Sequence, residues 1–495
     1  MGVYSVPEEI RKMKPKGTMV KRIKDKFYVY QYSTSKIKIA AEDGSSHWKT
    51  KTIMGKCIGS IKPECGFVPN EAKLADDVIT VKNYGDYAFA ISAAKGVSDL
   101  LHLAFHPEDA EQIFVAATIL FVDGFTVMKD MKGKYDMSYL STRFPKANVG
   151  QKALHTLYQN LGSRQEGVRR FGQAMLDKSS KRIAIDGHVI ACTSEQNDLS
   201  EFGYKAAKLG TMQINWMTAY DVVKRAPLLS QICNGSEPDS ISVGALLDRY
   251  RFTNTQFLAD RGFNTAADKE RMSGNGNTFI VPMIQNRKDY GYALGHLHFD
   301  KRRYFIHGKG KQASMVYYQD IRQDGHRYVA YRDMVRESMD RQAYVRAMTS
   351  GESGYTQENL PANERLFGLF LLETNDFDAS AETIFSRYKE RWAIETYYNY
   401  VRNSQDFRAL YQQDYFCLQG LGFLMNVAGI IYHEVKRRVT EAGMGVKDVM
   451  SMVKRLKMSY EDDRWVIRNA TKNVRNLCQK LGFEIPSCVK SGVTT

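Results

Sequence analysis

Residues 388–403 read YKERWAIETYYNYVRN, with charged side chains interleaved among aromatic and aliphatic ones. The stretch holds no glycine or proline, Ser380 upstream can cap a first turn, and Glu382 suits the positive end of a helix dipole. One helix is therefore predicted. At about 100° per residue, Tyr388, Arg391, Glu395 and Arg402 then share a stripe much narrower than half the helix. A phenol, two guanidiniums and one carboxylate on one face admit two readings. The first is an i, i+4 ion pair between Arg391 and Glu395 on a solvated surface, contributing about 0.3 kcal/mol. The second, favoured by the apolar flanks Trp392, Ile394 and Tyr398, is a site for an anion and a metal. The rest of the chain must decide between them.

Just upstream, LFGLFLLETN at 366–375 reads as a core strand returning before this helix. Two other short β-type runs end in an acid, KRIAID at 181–186 and TQFLAD at 255–260, with the helical pattern SVGALLDRYRF between them. Alternating strand and helix predicts an α/β core. A lone aspartate closing a strand is usually a turn former. Two of them closing strands of one core, with a helix-borne glutamate after a third strand, suggest more. Oxygen donors without His or Cys select hard cations such as magnesium or manganese. Two such ions about 4 Å apart can activate a water or a 3′-hydroxyl and stabilise the leaving oxygen of an in-line phosphodiester attack.

The composition allows this chemistry. At 495 residues the chain has room for about three domains, and 43% hydrophobic with 25% charged residues is an ordinary globular balance. Lys and Arg outnumber Asp and Glu by 70 to 55, so a net charge of +15 favours a polyanionic partner over an acidic small substrate. Seven scattered cysteines without a CxxC pair point to a reducing compartment, with neither structural disulfides nor zinc. A cytoplasmic location follows as an expectation. The N-terminus lacks a signal-like apolar core. The runs IFVAATILFV and GLGFLMNVAGIIY fall short of the roughly 20 residues of a membrane span, so both read as buried helices.

Residues 18–59 alternate short strands with Lys-rich turns, as a small basic β-rich module does. From about 84 to 178 the periodicity is helical, and its basic amphipathic faces could bind DNA or simply form a bundle. Between about 275 and 360, FIVPMI, YGYALGHLHF, RRYFIHG, ASMVYYQ and HRYVAYR all read as strands of a β-rich insertion.

With these pieces in place the sequence resembles the insertion-sequence-four group of bacterial DDE transposases. IAIDG at Asp186 and FLADRGFNT at Asp260 carry the likeness, as does the 388–403 stretch. That stretch follows the group's signature of Tyr, two residues, Arg, three residues, Glu, six residues and Lys. Arg402 stands in the last place, a fork-shaped contact where Lys makes a point contact. FIVPMI, LLETN, the KPKGTMV opening and the closing RNATKNVRNLCQKLGFEIP extend the likeness over most of the chain.

The resemblance implies a ribonuclease-H-like catalytic core interrupted by a β-rich insertion and preceded by a β-rich and a helical module. The expected boundaries are 1–80 (basic β-rich), 81–178 (helical, DNA-binding), 179–275 (core, first part), 276–362 (insertion), 363–440 (core, second part) and 441–495 (helical). It implies that Asp186, Asp260 and Glu395 are catalytic and hold two Mg2+ or Mn2+ ions. Tyr388, Arg391 and Arg402 would hold phosphates of the element end. In hairpin-forming members a flipped base stacks on an aromatic residue near the returning strand, which points to Phe370, with Phe367 as the alternative. Partners would be double-stranded DNA of the element ends and the target, bound by a homodimer on paired ends, with no membrane. A catalytically silent, domesticated DNA-binding protein and a structure-specific nuclease of the same core are the competing readings. His188, two after Asp186 where many members carry a small hydroxyl residue, stays outside the catalytic set. His296 and His298, alternating on an expected strand, lack a third metal ligand. SGNGN and GKGKQ read as turns rather than phosphate loops.

Overall fold

The computed structural model describes residues 6–40, 46–63, 66–70, 80–192, 197–201, 212–285, 287–323, 325–404, 409–410 and 412–489. Two compact units divide the chain, Met1–Thr80 and Val81–Thr495. In the first, four strands form an antiparallel meander: β1 (Thr18–Ile23), β2 (Lys26–Ala40), β3 (Ser46–Lys62) and β4 (Gly66–Pro69). The short strands expected here are instead one long ribbon, with β2 and β3 paired from Phe27↔Ile61 to Ala40↔Ser46. Ser33, Thr34 and Ser35 look like a turn in sequence. They lie on a fully exposed stretch of β2, where hydroxyl side chains are no liability to a strand. Bulges around Tyr30 absorb the change of register. Ile10, Val29 and Ile61 form the small core of this unit.

The second unit opens with β5 (Val81–Asn83) and a run of helices from Gly85 to Asp177, matching the helical periodicity of the sequence. Their apolar faces, including Phe114, Leu157 and Phe171, share one hydrophobic core with the 27-residue helix Tyr415–Glu441. That helix is long and apolar enough to cross a membrane, yet 78% of its most apolar window is buried within the fold. Two glycines explain its close packing. A Cβ on Gly162 would lie 2.0 Å from the Phe416 carbonyl oxygen, and one on Gly420 would lie 2.2 Å from that of Tyr158. The contact offsets the roughly 1 kcal/mol that glycine costs inside a helix.

The main sheet comprises β6 (Arg182–Cys192), β7 (Met212–Asp221), β8 (Ala226–Cys233), β9 (Gln256–Ala259), β10 (Thr278–Pro282), β11 (Tyr304–His307), β12 (Ser314–Gln323), β13 (His326–Asp333), β14 (Leu369–Thr374) and β15 (Ala409–Leu410). Its order is β11-β12-β13-β14-β10-β9-β6-β7-β8, and β15 pairs in parallel with the far end of β6. At the centre β6, β9 and β10 are parallel, while β7 and β8 continue as an antiparallel meander on one side. The cores of these parallel strands, Ile183–Ile185, Phe257–Ala259 and Phe279–Val281, are buried apolar runs, as parallel strands covered on both faces require. On the other side β14 returns antiparallel to β10, and β13, β12 and β11 extend the sheet.

Five sequence expectations are corrected here. Strand β6 does not end at Asp186 but runs on to Cys192, because β7 keeps pairing with it after β9 has stopped at Ala259. FIVPMI supplies β10, a member of the central parallel trio rather than of an insertion. YGYALG lies in the helix Lys288–Gly295, where Tyr290 and Ala293, three apart, are the buried pair; its aromatic alternation only imitates a strand. His296 is the cap of that helix, so His296 and His298 share no strand face. Finally, residues 441–495 are only partly helical. There β16 (Lys457–Glu461), β17 (Arg464–Arg468) and β18 (Cys488–Val489) join β5 in a second sheet of order β18-β17-β16-β5. Asp462 and Asp463, at φ 48° and 60°, make the left-handed two-residue turn between β16 and β17.

The glycine-containing runs are turns, with Gly276 at φ 74° and Gly308 at φ 83°. Six cysteines among the described residues are free thiols, and Cys65 lies outside those residues.

Candidate active site

The last paired residues of the parallel strands β6 and β9 are Ile185 and Ala259. One step further along each chain stand Asp186 and Asp260. Adjacent strands lie about 4.8 Å apart, so the two acids emerge side by side at the carboxyl ends of the parallel pair, where open α/β sheets gather their ligands. Asp260 leaves the sheet at once, its Oδ1 accepting from the Arg261 backbone N–H at 2.8 Å to cap a short 3-10 turn. Asp186 stays in its strand, with its own Oδ1 accepting from the Gly187 N–H at 2.9 Å.

The 388–403 stretch is two helices. Ala381–Glu390 is capped by Ser380, whose Oγ accepts from the Thr383 N–H at 3.1 Å, and Trp392–Ser404 follows after a break at Arg391. Around the break the backbone bonds tighten, Arg391 N–H to Tyr388 O and Ile394 N–H to Arg391 O, both at 3.1 Å. The single uninterrupted helix expected from the sequence is thereby corrected. Arg391 keeps helical backbone angles at the break, and its Nη1 meets Asp186 Oδ2 at 3.2 Å with the two side chains only 12% and 16% exposed. Tyr398 fixes the strand from the same helix by donating its hydroxyl to the Asp186 carbonyl oxygen at 2.7 Å, and His188 stacks on the Tyr398 ring at 4.7 Å.

These groups bear on one another electrostatically. Burial pushes the Asp186 carboxyl up to about 7; Arg391 opposes the rise, and Glu395 and Asp260 add to it. Burial also works against the charge of Arg391, yet Tyr388, Asp186, Asp260 and Glu395 together hold its pKa above the ordinary value. Tyr388 is pushed up to about 12, first by burial, with Asp260 and Asp186 contributing and Arg391 opposing. Asp186, Asp260, Glu395, Tyr388 and Arg391 thus form one cluster.

Arg402 is not part of it. It is exposed at the last turn of its helix, about 10 Å along the axis from Glu395. Glu390 turns away to Arg182 at 2.6 Å. Phe370 is half-buried on β14, stacked on Tyr331 at 5.1 Å with Lys389 Nζ 5.3 Å and the Arg336 guanidinium 5.8 Å from its ring centre. It lines a cavity of about 500 Å³ together with Tyr388, Arg261 and Arg336. Phe367 is buried against Tyr344 instead.

Sequence reasoning missed Tyr398, which was read as an apolar flank. Its place in the helix, three residues beyond Glu395, was the available signal. Among the described residues, no three His, Cys, Asp or Glu side chains converge closely enough to hold a metal ion as they stand. The donor chemistry nonetheless fits a hard dication. All donors are oxygens, like charges help hold a buried carboxyl near 7, and a guanidinium stands against the surplus charge.

Residues 177–411, just under half the chain, match the family model described as a transposase DDE domain, and Asp186, Asp260 and Glu395 all fall inside the match. The chain carries a DDE transposase domain. It is an enzyme of that class. Among solved structures, a piggyBac transposase synaptic complex with hairpin DNA is similar to this chain at a TM-score of 0.40 and 12% identity, covering 75% of this chain and 78% of that one. No curated protein matches the sequence.

Proposed function

We propose that this DDE transposase binds the ends of its mobile element, cleaves them by metal-dependent phosphodiester hydrolysis and transfers the 3′ ends into target DNA. The single observation that carries the reading is the placement of Asp186 and Asp260 side by side, one residue past the last paired residues of the parallel strands β6 and β9, with Arg391 buried against Asp186. The strand order β8-β7-β6-β9-β10, with β6, β9 and β10 parallel, supports a ribonuclease-H-like core. The signature spacing supports membership of the insertion-sequence-four group, with Arg402 in the place of its lysine.

Enzymes of the DDE class generally use divalent metal ions. Asp186, Asp260 and Glu395 would hold two Mg2+ or Mn2+ ions, which supply activation of a water or 3′-hydroxyl and charge stabilisation at the leaving oxygen. The chain's own groups do the rest. Asp186, pushed up to about 7 by burial, can carry a proton near neutral pH and would have to shed it to serve as a metal ligand. Arg391, beside Tyr388 and Asp186, would hold a phosphate, and Arg402 would take one further along the strand. Phe370, on the wall of the adjoining cavity, offers its ring to an unpaired terminal base if the end passes through a hairpin. A dimer on paired ends follows from the need to cut and join both ends together, and the net charge of +15 suits a DNA partner.

Purified protein, magnesium and DNA of its own element's end test the reading. Nicked, hairpin and joined products should resolve on a denaturing gel, and failure to cut that end with either metal would overturn it.

A further inference from the structure

Around the Glu395 helix from the three acids lies a second cavity, of about 270 Å³. Arg225 reaches it from the β7–β8 turn, Trp392, Tyr397 and Tyr400 from the Glu395 helix, and His433 and Lys436 from the long core helix. Three features set it apart from a packing defect. First, it gathers cations. Lys436 is pulled below its ordinary pKa by burial and then by Arg225, with no carboxylate acting against them. The acid on this wall, Glu390, is already held by Arg182. Like charges at one opening are unfavourable until an anion joins them.

Second, two buried polar atoms of the wall have no partner among the described residues, Tyr397 Oη and His433 Nδ1, on side chains 4% and 8% exposed. Buried polar groups are normally hydrogen-bonded, so both mark this wall as incompletely paired. Third, Trp392 is 69% exposed, although it neighbours Arg391 in sequence and Arg391 is buried against Asp186. Consecutive residues, about 100° apart around the helix, therefore serve different surfaces. An indole with an uncovered face beside paired cations is the pairing that single-stranded DNA sites use, a stacking platform next to a backbone clamp.

We propose that this cavity binds one unpaired nucleotide of a DNA strand, its phosphate between Arg225 and Lys436 and its base against the Trp392 ring. The volume suits a unit of about that size, and the cation-plus-aromatic lining suits a nucleotide better than a bare inorganic ion. The inference rests on the transposase reading above and adds a second strand contact to it, on the side of the helix away from the acids. Because Trp392 follows Arg391, a strand held here lies one residue from the side chain that meets Asp186.

The test uses the full-length protein, fluorescein-labelled oligothymidylate, a mixed-sequence duplex, and dTMP as competitor. Trp392→Ala and the double variant Arg225→Ala/Lys436→Ala should each weaken oligothymidylate binding by about tenfold, and duplex binding by about twofold at most. Trp392→Phe should restore most of the affinity, which a purely structural tryptophan would not require. Oligothymidylate affinity unchanged in both variants, while the wild type still cuts its element end, would overturn the cavity and leave the transposase reading standing. Failure of the wild type to cut would instead remove the reading beneath it. Displacement of the strand by dTMP at equal nucleotide concentration would assign the site to a free nucleotide and overturn the strand proposal.

Discussion

Two ion pairs tie the break between the signature helices to the same strand, β6. Glu390 reaches Arg182 at 2.6 Å, with the side chains 39% and 27% exposed. Arg391 reaches Asp186 at 3.2 Å, with 12% and 16%. Judged by distance alone, the first is the better interaction. It is also the more ordinary one, a single cation and a single anion at the edge of solvent, a kind of contact that contributes about 0–1 kcal/mol. The second is longer, buried and unbalanced, because Arg391 also answers to Asp260, Glu395 and Tyr388. A contact selected for stability would match one acid to one cation. Surplus negative charge retained under cover, at the cost of a carboxyl near 7, marks the pair as part of a site that awaits further positive charge.

The largest expected effect separates the two pairs directly. Asp186→Ala, Asp260→Ala and Glu395→Ala should each reduce magnesium-dependent end cleavage to background while a gel-shift assay shows end binding largely intact, since binding draws on many Lys and Arg contacts. Glu390→Ala should cut at nearly the parental rate. If Glu390→Ala abolished cleavage and Glu395→Ala retained it, the two pairs would have exchanged roles.

The unequal partners of Glu390 and Arg391 were not legible in the sequence. They are neighbours about 100° apart around the helix, and their partners, Arg182 and Asp186, stand four residues apart on β6, a strand brought alongside only by the fold. The acids themselves were legible, because an apolar run followed by Asp is a local pattern and strand ends gather at one edge of a parallel sheet. Their pairing was not, since it depends on the register Ile185↔Ala259 between residues more than seventy apart. The extension of β6 past Asp186 was hidden for the same reason: the partner that sustains it, β7, is supplied from elsewhere in the chain. Local periodicity failed where it was imitated, as in YGYALG. It also failed where a left-handed Asp462–Asp463 turn made a hairpin without glycine or asparagine.

A second prediction concerns the surplus charge itself, in protein kept metal-free with EDTA. The Asp186 carboxyl stands at about 7, above its ordinary 3.8. The fold therefore favours the protonated form, so the stability this group contributes is complete below about pH 4 and is lost as pH rises through 7. Asp186→Asn keeps a neutral side chain throughout. The variant should match the parent near pH 4 and exceed it by about 2 kcal/mol or more near pH 8, read from denaturant midpoints. Magnesium should close the gap by stabilising the parent alone. A gap independent of pH would show that Arg391 already balances the cluster.

Arg402 tests how far along the helix the site extends. Exposed and about 10 Å from Glu395, it should act on the DNA strand rather than on the acids. Arg402→Ala is expected to slow single-turnover strand processing by about tenfold with a smaller loss of end affinity. Equal weakening of all DNA at an unchanged rate would make it ordinary surface charge.

The smallest effect is expected from the shorter ion pair, and its smallness is the point. Glu390→Gln removes one charge from a partly solvated contact and leaves Arg182 able to reach water, so the loss should stay below about 1 kcal/mol. Because the contact lies at the solvent edge, the loss should shrink further in about 1 M salt, where screening acts within about 3 Å. Arg391→Gln should behave differently in EDTA. It leaves Asp186, Asp260 and Glu395 without the cation buried against them, and salt reaches that cluster poorly, so its destabilisation near pH 8 should survive in the same high salt. Near pH 4 Asp186 is protonated, and the Arg391→Gln effect should diminish there, while that of Glu390→Gln should not follow the titration of Asp186. Two variants at adjacent positions would thus differ in salt response and in pH response. A common response to both would mean that the helix break divides two equivalent surface pairs, and the electrostatic ground for treating Arg391 as part of a site would be gone.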